Sequence, residues 1–304
     1  VDNYNINKRN YYKLLSLVYL NNNNDKLIND LNNMIKSDKL SEILEFSFNN
    51  FYNDNGEKYI GEIINGLKEG KGILFYKKDN EHKRSRYEGD FKNDKPEGKG
   101  IMYWNNGNIY EGDWKNNIKE GKGIFYFNEG DCKGDRYEGD FKNGMSDGKG
   151  IYYWNDGDRY EGDWKNDLKE GKGIIYYNEG DRYKGDFKND IREGKGILYY
   201  NDGDRYEGDF KNDMREGKGI MYFNEGDIYE GDFQNDKFEG KGKMLYNEGD
   251  IYEGDFKNDK FKGHGIYFWN KGDKYEGEWE NGLREGKGTY YYSNGKVESG
   301  DWKN

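Results

Sequence analysis

From Tyr59 onward, apolar and polar positions alternate along the chain in a pattern that restarts every 23 residues. One copy reads Tyr206-Glu207-Gly208-Asp209-Phe210-Lys211-Asn212-Asp213-Met214-Arg215-Glu216-Gly217-Lys218-Gly219-Ile220-Met221-Tyr222-Phe223-Asn224-Glu225-Gly226-Asp227-Ile228. The opening tyrosine recurs at Tyr59, Tyr87, Tyr110, Tyr137, Tyr160, Tyr183, Tyr206, Tyr229, Tyr252 and Tyr275, and Glu298 holds its place in a last, partial copy. Only the steps after Tyr59 (28 residues) and Tyr110 (27 residues) are longer. A fixed period of this size marks a repeat architecture.

Within a copy the alternation has period two, which predicts a β-hairpin. The first strand is read at 206–210, a turn at 211–216, the second strand at 217–223, and a second turn through Asn224, Glu225, Gly226 and Asp227. Alternation puts Tyr206, Gly208 and Phe210 on one face and Glu207 and Asp209 on the other. In the second strand Gly217, Gly219, Met221 and Phe223 share a face, opposite to Lys218, Ile220 and Tyr222. Pairing Gly208 with Gly219 and Phe210 with Gly217 would lay aromatic rings over bare backbone. The same register predicts an Asp209–Lys218 ion pair across the strands. The expected fold is mostly β: an elongated, single-layer antiparallel β-meander, with about 21 strands at ~4.8 Å reaching roughly 100 Å.

Residues 1–55 follow a different rhythm. Tyr11, Leu14, Leu15 and Val18, then Leu27, Ile28, Leu31, Met34 and Ile35, fall at helical spacing, with Asp25 as a cap and a further short turn from Ser41. A short α-helical N-terminal region is expected there, as a cap on the array or an interaction segment. The array itself is assigned 56–304.

The repeat resembles the MORN family (membrane occupation and recognition nexus). The match lies in the Y-E-G-[DE]-[FW]-K-N opening, as at 160–166, and in the G-K-G core, as in Gly171, Lys172 and Gly173. Most copies depart from the family at the eighth position, where Asp or Asn replaces the commoner Gly. The resemblance implies about ten MORN hairpin repeats. It also implies scaffolding, membrane-associated or regulatory work, in cytoskeletal, ciliary or membrane-cortex assemblies.

Composition sharpens this picture. Only 32% of the residues are apolar but 17% are aromatic, with 30 Tyr and 45 Gly. That is too little aliphatic material for one thick core, and it suits an array in which each unit touches only its neighbours. The net charge of −11 divides into −1 for residues 1–58 and −10 for the array. An acidic array argues against nucleic acid as a partner and against attraction to anionic lipid by net charge alone. The single cysteine, Cys132, and the lack of glycosylation sequons fit an intracellular setting. The longest apolar stretch, 14–20, is far too short to cross a bilayer. A chain that opens on Val1 is expected to be a fragment, which leaves room for an enzyme elsewhere that this segment regulates.

No catalytic constellation is present, so the chain is expected not to be an enzyme and to need no cofactor or metal. His82 and His264 lack metal-ligand neighbours. The run 282–289 misses phosphate-loop spacing, and the Asp-rich turns lack the glutamate of a calcium loop. Trp114, Trp164, Trp279 and Trp302 stand in the Phe column and read as sheet packing. Trp104, Tyr126, Tyr153, Trp154, Tyr176, Tyr199, Tyr222 and Trp269 are the candidates for lining an extended aromatic, partner-binding groove, since aromatic anchors dominate interfaces. A turn insertion at 77–86 supplies Lys77, Lys78, Lys83, Arg84 and Arg86, the candidate site for an acidic partner or acidic phospholipid. A second insertion, 128–136, carries Cys132. The sequence therefore points to a scaffold for protein partners. A phospholipid-recognition module is the alternative, and the apolar stripes on both faces predict a homodimer.

Overall fold

The structure, a computed structural model, describes residues 51–54, 57–77 and 80–303. All described regular structure is β-strand, and every strand pairing is antiparallel. The helices expected within 1–46 lie outside the described residues. Residues 51–54, the end of that expected segment, form a strand.

The hairpins are tighter than their sequence suggested. In the copy at 206 the strands run Arg205–Lys211 and Met214–Tyr222. The turn is therefore Asn212 and Asp213 alone, at φ 50° and 67°, instead of six residues. Two positive φ values make the type I′ turn, whose twist matches that of the strands. Asn and Asp are the side chains that tolerate this conformation best after glycine.

The register follows from a bulge. Gly208 pairs with Gly219 as expected, but Phe210 pairs with Arg215. Glu216, Gly217 and Lys218 thus stand opposite the single Asp209. Gly217 sits at φ 73°, a conformation that costs any residue bearing a Cβ. Between copies there is no bulge, and Gly217 meets Phe233 while Lys218 meets Asp232. The expected Asp209–Lys218 pair is therefore replaced by pairs to the next copy: Lys218 Nζ lies 2.6 Å from Asp232 Oδ1, and Lys195 Nζ 2.7 Å from Asp209 Oδ1.

Two units are distinguished, residues 1–145 and 146–304. In the first, β1 (Phe51–Asp54), β2 (Glu57–Ile64), β3 (Leu67–Phe75) and β4 (Arg84–Lys92) pair in sequence order. β5 (Lys95–Trp104), β6 (Ile109–Lys115), β7 (Ile118–Tyr126) and β8 (Arg136–Lys142) continue the same meander. The second unit begins within β9 (Met145–Tyr153), followed by β10 (Arg159–Lys165), β11 (Leu168–Tyr176), β12 (Arg182–Lys188) and β13 (Ile191–Tyr199). Then come β14 (Arg205–Lys211), β15 (Met214–Tyr222), β16 (Ile228–Gln234), β17 (Lys237–Leu245) and β18 (Ile251–Lys257). It ends with β19 (Lys260–Phe268), β20 (Lys274–Glu280), β21 (Leu283–Tyr291) and β22 (Val297–Trp302), each strand from β9 pairing with the next.

The acidic surplus holds successive copies together. The eighth-position Asp213 accepts from the backbone N–H of Arg192 in the preceding copy at 2.8 Å. Glu216 Oε2 accepts from Asn235 N–H at 3.1 Å, and Asp227 Oδ1 from Asn247 N–H at 2.9 Å. Asp186 takes the Lys195 N–H of its own hairpin at 3.1 Å while it pairs with Lys172 of the copy before. Carboxylates thus satisfy turn and bulge N–H groups that the ladder leaves free. Pro96 is the exception that explains its neighbour. It lies in β5, paired with Phe91. It has no N–H to donate, and the side-chain oxygen of the next copy's Asn117 accepts from Arg84 instead, at 2.7 Å.

Candidate functional site on the two faces of the repeat

One face is closed by its own side chains. Tyr206 is fully buried, with its ring flat against the Gly208–Gly219 pair. A Cβ on Gly219 would fall 2.4 Å from Tyr206 Cε2. Tyr206 Oη donates to the carbonyl of Asp209, the bulge residue, at 2.9 Å. Phe210 and Phe233 meet the ring edge-on at 5.2 and 4.8 Å, the geometry that ring quadrupoles prefer. Arg215 lies over both Tyr206 and Phe233, and its Nε donates to Asp236 at 3.2 Å. Burial raises the Tyr206 hydroxyl well above the ordinary tyrosine value, as it does Tyr183, Tyr229 and Tyr252. The same column recurs at each copy of both units, with Tyr87, Tyr110, Tyr160 and Tyr275 also fully buried. The tryptophans that replace Phe pack as expected: Trp114, Trp164 and Trp279 are buried and donate Nε1–H to a glycine carbonyl.

The opposite face is left open. In the second unit one row crosses the strands without a break. Arg159 pairs with Tyr176, Tyr176 with Arg182, Arg182 with Tyr199, Tyr199 with Arg205, and Arg205 with Tyr222. The row then turns aliphatic through Ile228, Leu245 and Ile251 to Phe268. Arg159, Arg182 and Arg205 stack on Tyr176, Tyr199 and Tyr222 at 4.3, 4.2 and 4.1 Å. These side chains are half-buried, and Phe268 is 40% exposed. The hydroxyls of Tyr176, Tyr199 and Tyr222 have no hydrogen-bond partner among the described residues.

The aromatic groove read from the sequence does not form as one surface. Trp104, Trp154 and Trp269 project on the tyrosine-ladder face, against Phe125, Tyr152 and Tyr267 at 5.5, 4.8 and 4.6 Å. Tyr126, Tyr153, Tyr176, Tyr199 and Tyr222 lie on the opposite face, each paired with an arginine. The one-residue offset between the two columns is enough to separate them. The basic turn also divides. Lys77 and Lys83 are exposed, Lys78 lies outside the described residues, and Arg84 and Arg86 belong to β4. Arg86 stacks on Tyr103 at 4.2 Å and pairs with Glu88 at 2.9 Å, while Arg84 lies over Tyr76. Burial pushes the Tyr76 hydroxyl up to about 12, against the pull of Arg84.

Sequence reasoning missed the arginine column, although the signal was present: the last position of the copy holds Arg at 136, 159, 182 and 205 and Ile at 228 and 251. No cluster of three possible metal ligands exists among the described residues. No described helix is long and apolar enough to cross a membrane.

A family model described as MORN repeat matches ten consecutive segments, residues 59–80, 87–109, 110–132, 137–159, 160–182, 183–205, 206–228, 229–251, 252–274 and 275–297. No curated protein matches the chain. Among solved structures, the chain is similar to the TCP domain of SAS-4 (dCPAP) of Drosophila melanogaster, in complex with a proline-rich motif of Ana2 (dSTIL). The identity is 16% and the TM-score 0.34, over 52% of this chain and 86% of that one. It is similar to the TCP10 domain of Danio rerio CPAP at 12% identity and a TM-score of 0.39, over 66% of this chain and 93% of that one. Likenesses at this level carry no argument about function.

Proposed function

The chain belongs to the MORN-repeat family, and from that premise we propose that it is a non-enzymatic scaffold that docks protein partners on the arginine–tyrosine face of its repeats. The carrying observation is the contrast between two tyrosines of one copy. Tyr206 is sealed over glycine with its hydroxyl satisfied, whereas Tyr222, on the other face, is half exposed with an unpartnered hydroxyl. Half-exposed rings with a free polar tip, held rigid by stacked guanidinium groups, are the usual anchors of protein interfaces. The candidate rings on the other face, Trp104, Trp154 and Trp269, are excluded from this reading because their neighbours there complete the internal packing. The basic turn is likewise set aside, since Arg84 and Arg86 are committed to Asn117 and Glu88. An intracellular, cytoskeletal or membrane-linked setting is part of the proposal and rests on family membership and the lone Cys132.

Peptides selected on the intact chain from a random display library test the reading. Binding should be lost on the Tyr199→Ser/Tyr222→Ser variant and kept on Trp154→Ser and Trp269→Ser. The opposite outcome would move the docking surface to the tyrosine-ladder face. Flotation with liposomes containing acidic phospholipid, without peptide binding, would replace the scaffold by a lipid-recognition module.

A further inference from the structure

Where copies repeat, local information lies in the departures. On the open face, the position after the ladder tyrosine holds glutamate in eight copies, at Glu88, Glu111, Glu138, Glu161, Glu207, Glu230, Glu253 and Glu276. In the copy at 183 it is Lys184, which is exposed and pairs with Ile174 and Ile197 on its two sides. In three other copies this glutamate pairs with the arginine two positions before it, Glu88 with Arg86 at 2.9 Å, Glu138 with Arg136 at 3.7 Å and Glu161 with Arg159 at 3.8 Å. Exchange for lysine removes that partner from Arg182 and adds a cation. Neither Arg182, Lys184 nor Arg205 has an ion pair among the described residues. The lysine–aspartate row beside them is internally neutral, with Lys172, Lys195 and Lys218 paired to Asp186, Asp209 and Asp232. The second unit therefore carries arginines on β10, β12 and β14, with the unpaired positive charge on β12 and β14, in a row that runs straight into the aliphatic line over β16–β19.

We propose that this row binds an extended segment of a protein partner that is acidic in its one half and apolar in the other. This rests on the reading of the open face as the docking surface and adds the partner's chemistry. Arg159, Arg182 and Arg205 stand on alternate strands, ~9.6 Å apart, which matches one turn of an extended polyproline II segment, three residues at ~3.1 Å each, with every third side chain on the same side. A carboxylate at every third residue meets all three. From β10 to β19 the row is ~43 Å long, or about 13 extended residues. Guanidinium groups donate to carboxylates through a planar, bidentate fork without leaving their tyrosine stacks. A single-stranded nucleic acid fits less well, because the tyrosine faces on which its bases would stack are already covered by arginine. A membrane fits less well, because the cations form one line bounded by the carboxylates of Glu161 and Glu207 and not a plane.

The probe is a fluorescent peptide of about 13 residues, with glutamate at every third position of its first half and leucine at the same spacing in its second. Anisotropy with the intact chain is measured against a peptide of the same composition in shuffled order. The ordered peptide should bind at least about tenfold more tightly, and Lys184→Glu should weaken it by about tenfold or more, with affinity falling as salt rises. Lys184→Glu installs the residue that the other copies carry, so the variant folds, and its circular dichroism should match. Equal binding of the two peptides, or no effect of Lys184→Glu, overturns the proposal. If Tyr199→Ser/Tyr222→Ser still abolishes binding in that case, the docking face stands and only the partner chemistry falls. If binding survives that double variant, the docking face falls with it. Binding of phosphatidylserine vesicles through Lys184, with no binding of the ordered peptide, assigns the row to lipid and also overturns the proposal.

Discussion

Tyr206 and Tyr222 belong to the same copy and the same hairpin, yet they do opposite things. Tyr206 has Gly208 and Gly219 on its own face, so its ring reaches the backbone, loses all contact with water and ties its hydroxyl to Asp209. Tyr222 has Ile220 and Arg205 beside it, so the ring takes a guanidinium at 4.1 Å and stays half exposed. The difference lies in what surrounds each tyrosine. Glycine converts an aromatic residue into core, and a branched or charged neighbour leaves it as surface. Stability is concentrated on one face, and the proposed docking falls on the other.

The contrast can be tested from its strongest consequence to its weakest. Alkali should give the largest effect, because it acts on the whole ladder at once. Burial raises the folded-state values of Tyr183, Tyr206, Tyr229 and Tyr252 above the unfolded value near 10. Their contribution is complete below that unfolded value. It declines as pH rises above it, because the unfolded chain then releases protons that the folded chain keeps. Tyrosinate absorbance from the ladder should therefore appear together with the loss of β circular dichroism. Ladder ionisation with the β signal intact would contradict the seal.

Gly219→Ala comes next. The new Cβ meets the Tyr206 ring at 2.4 Å and must displace it, at a cost approaching the ~3–5 kcal/mol of deleting a buried aromatic. Urea unfolding should register it, and hydrogen exchange should localise the loss to β14–β16. Asp213→Ala removes both the bond to Arg192 N–H and the side chain's tolerance of φ 67°, for roughly 1–2 kcal/mol. Asp213→Gly keeps the turn and loses only the carboxylate's bonds from Arg192 N–H and Nε, so its midpoint should lie between those of Asp213→Ala and the parent chain. Tyr199→Ser on the open face should change stability least, within about 0.5 kcal/mol, while abolishing peptide binding. A large loss of stability there would erase the distinction between the faces.

Much of this was legible in the residues. The 23-residue period, the hairpins, the face assignments and the Gly208–Gly219 pairing follow from alternation and from the need of rings for bare backbone. The bulge at Asp209 was not legible, because a straight ladder and a bulged one both leave a lysine opposite each aspartate. They differ only in whose lysine it is. The assumed groove failed for a similar reason: Tyr153 and Trp154 are adjacent in sequence and so fall on opposite faces of a strand.

What the sequence determined by itself is the repeat, the β-hairpin and the order of the strands, since these depend on local spacing and turn chemistry. Tertiary structure decided which carboxylate meets which N–H, which lysine meets which aspartate, and which aromatic column stays open to solvent. Those outcomes depend on register between copies, and register is fixed by the left-handed Gly217 and the tyrosine packed over glycine, contacts that exist only once neighbouring strands are side by side.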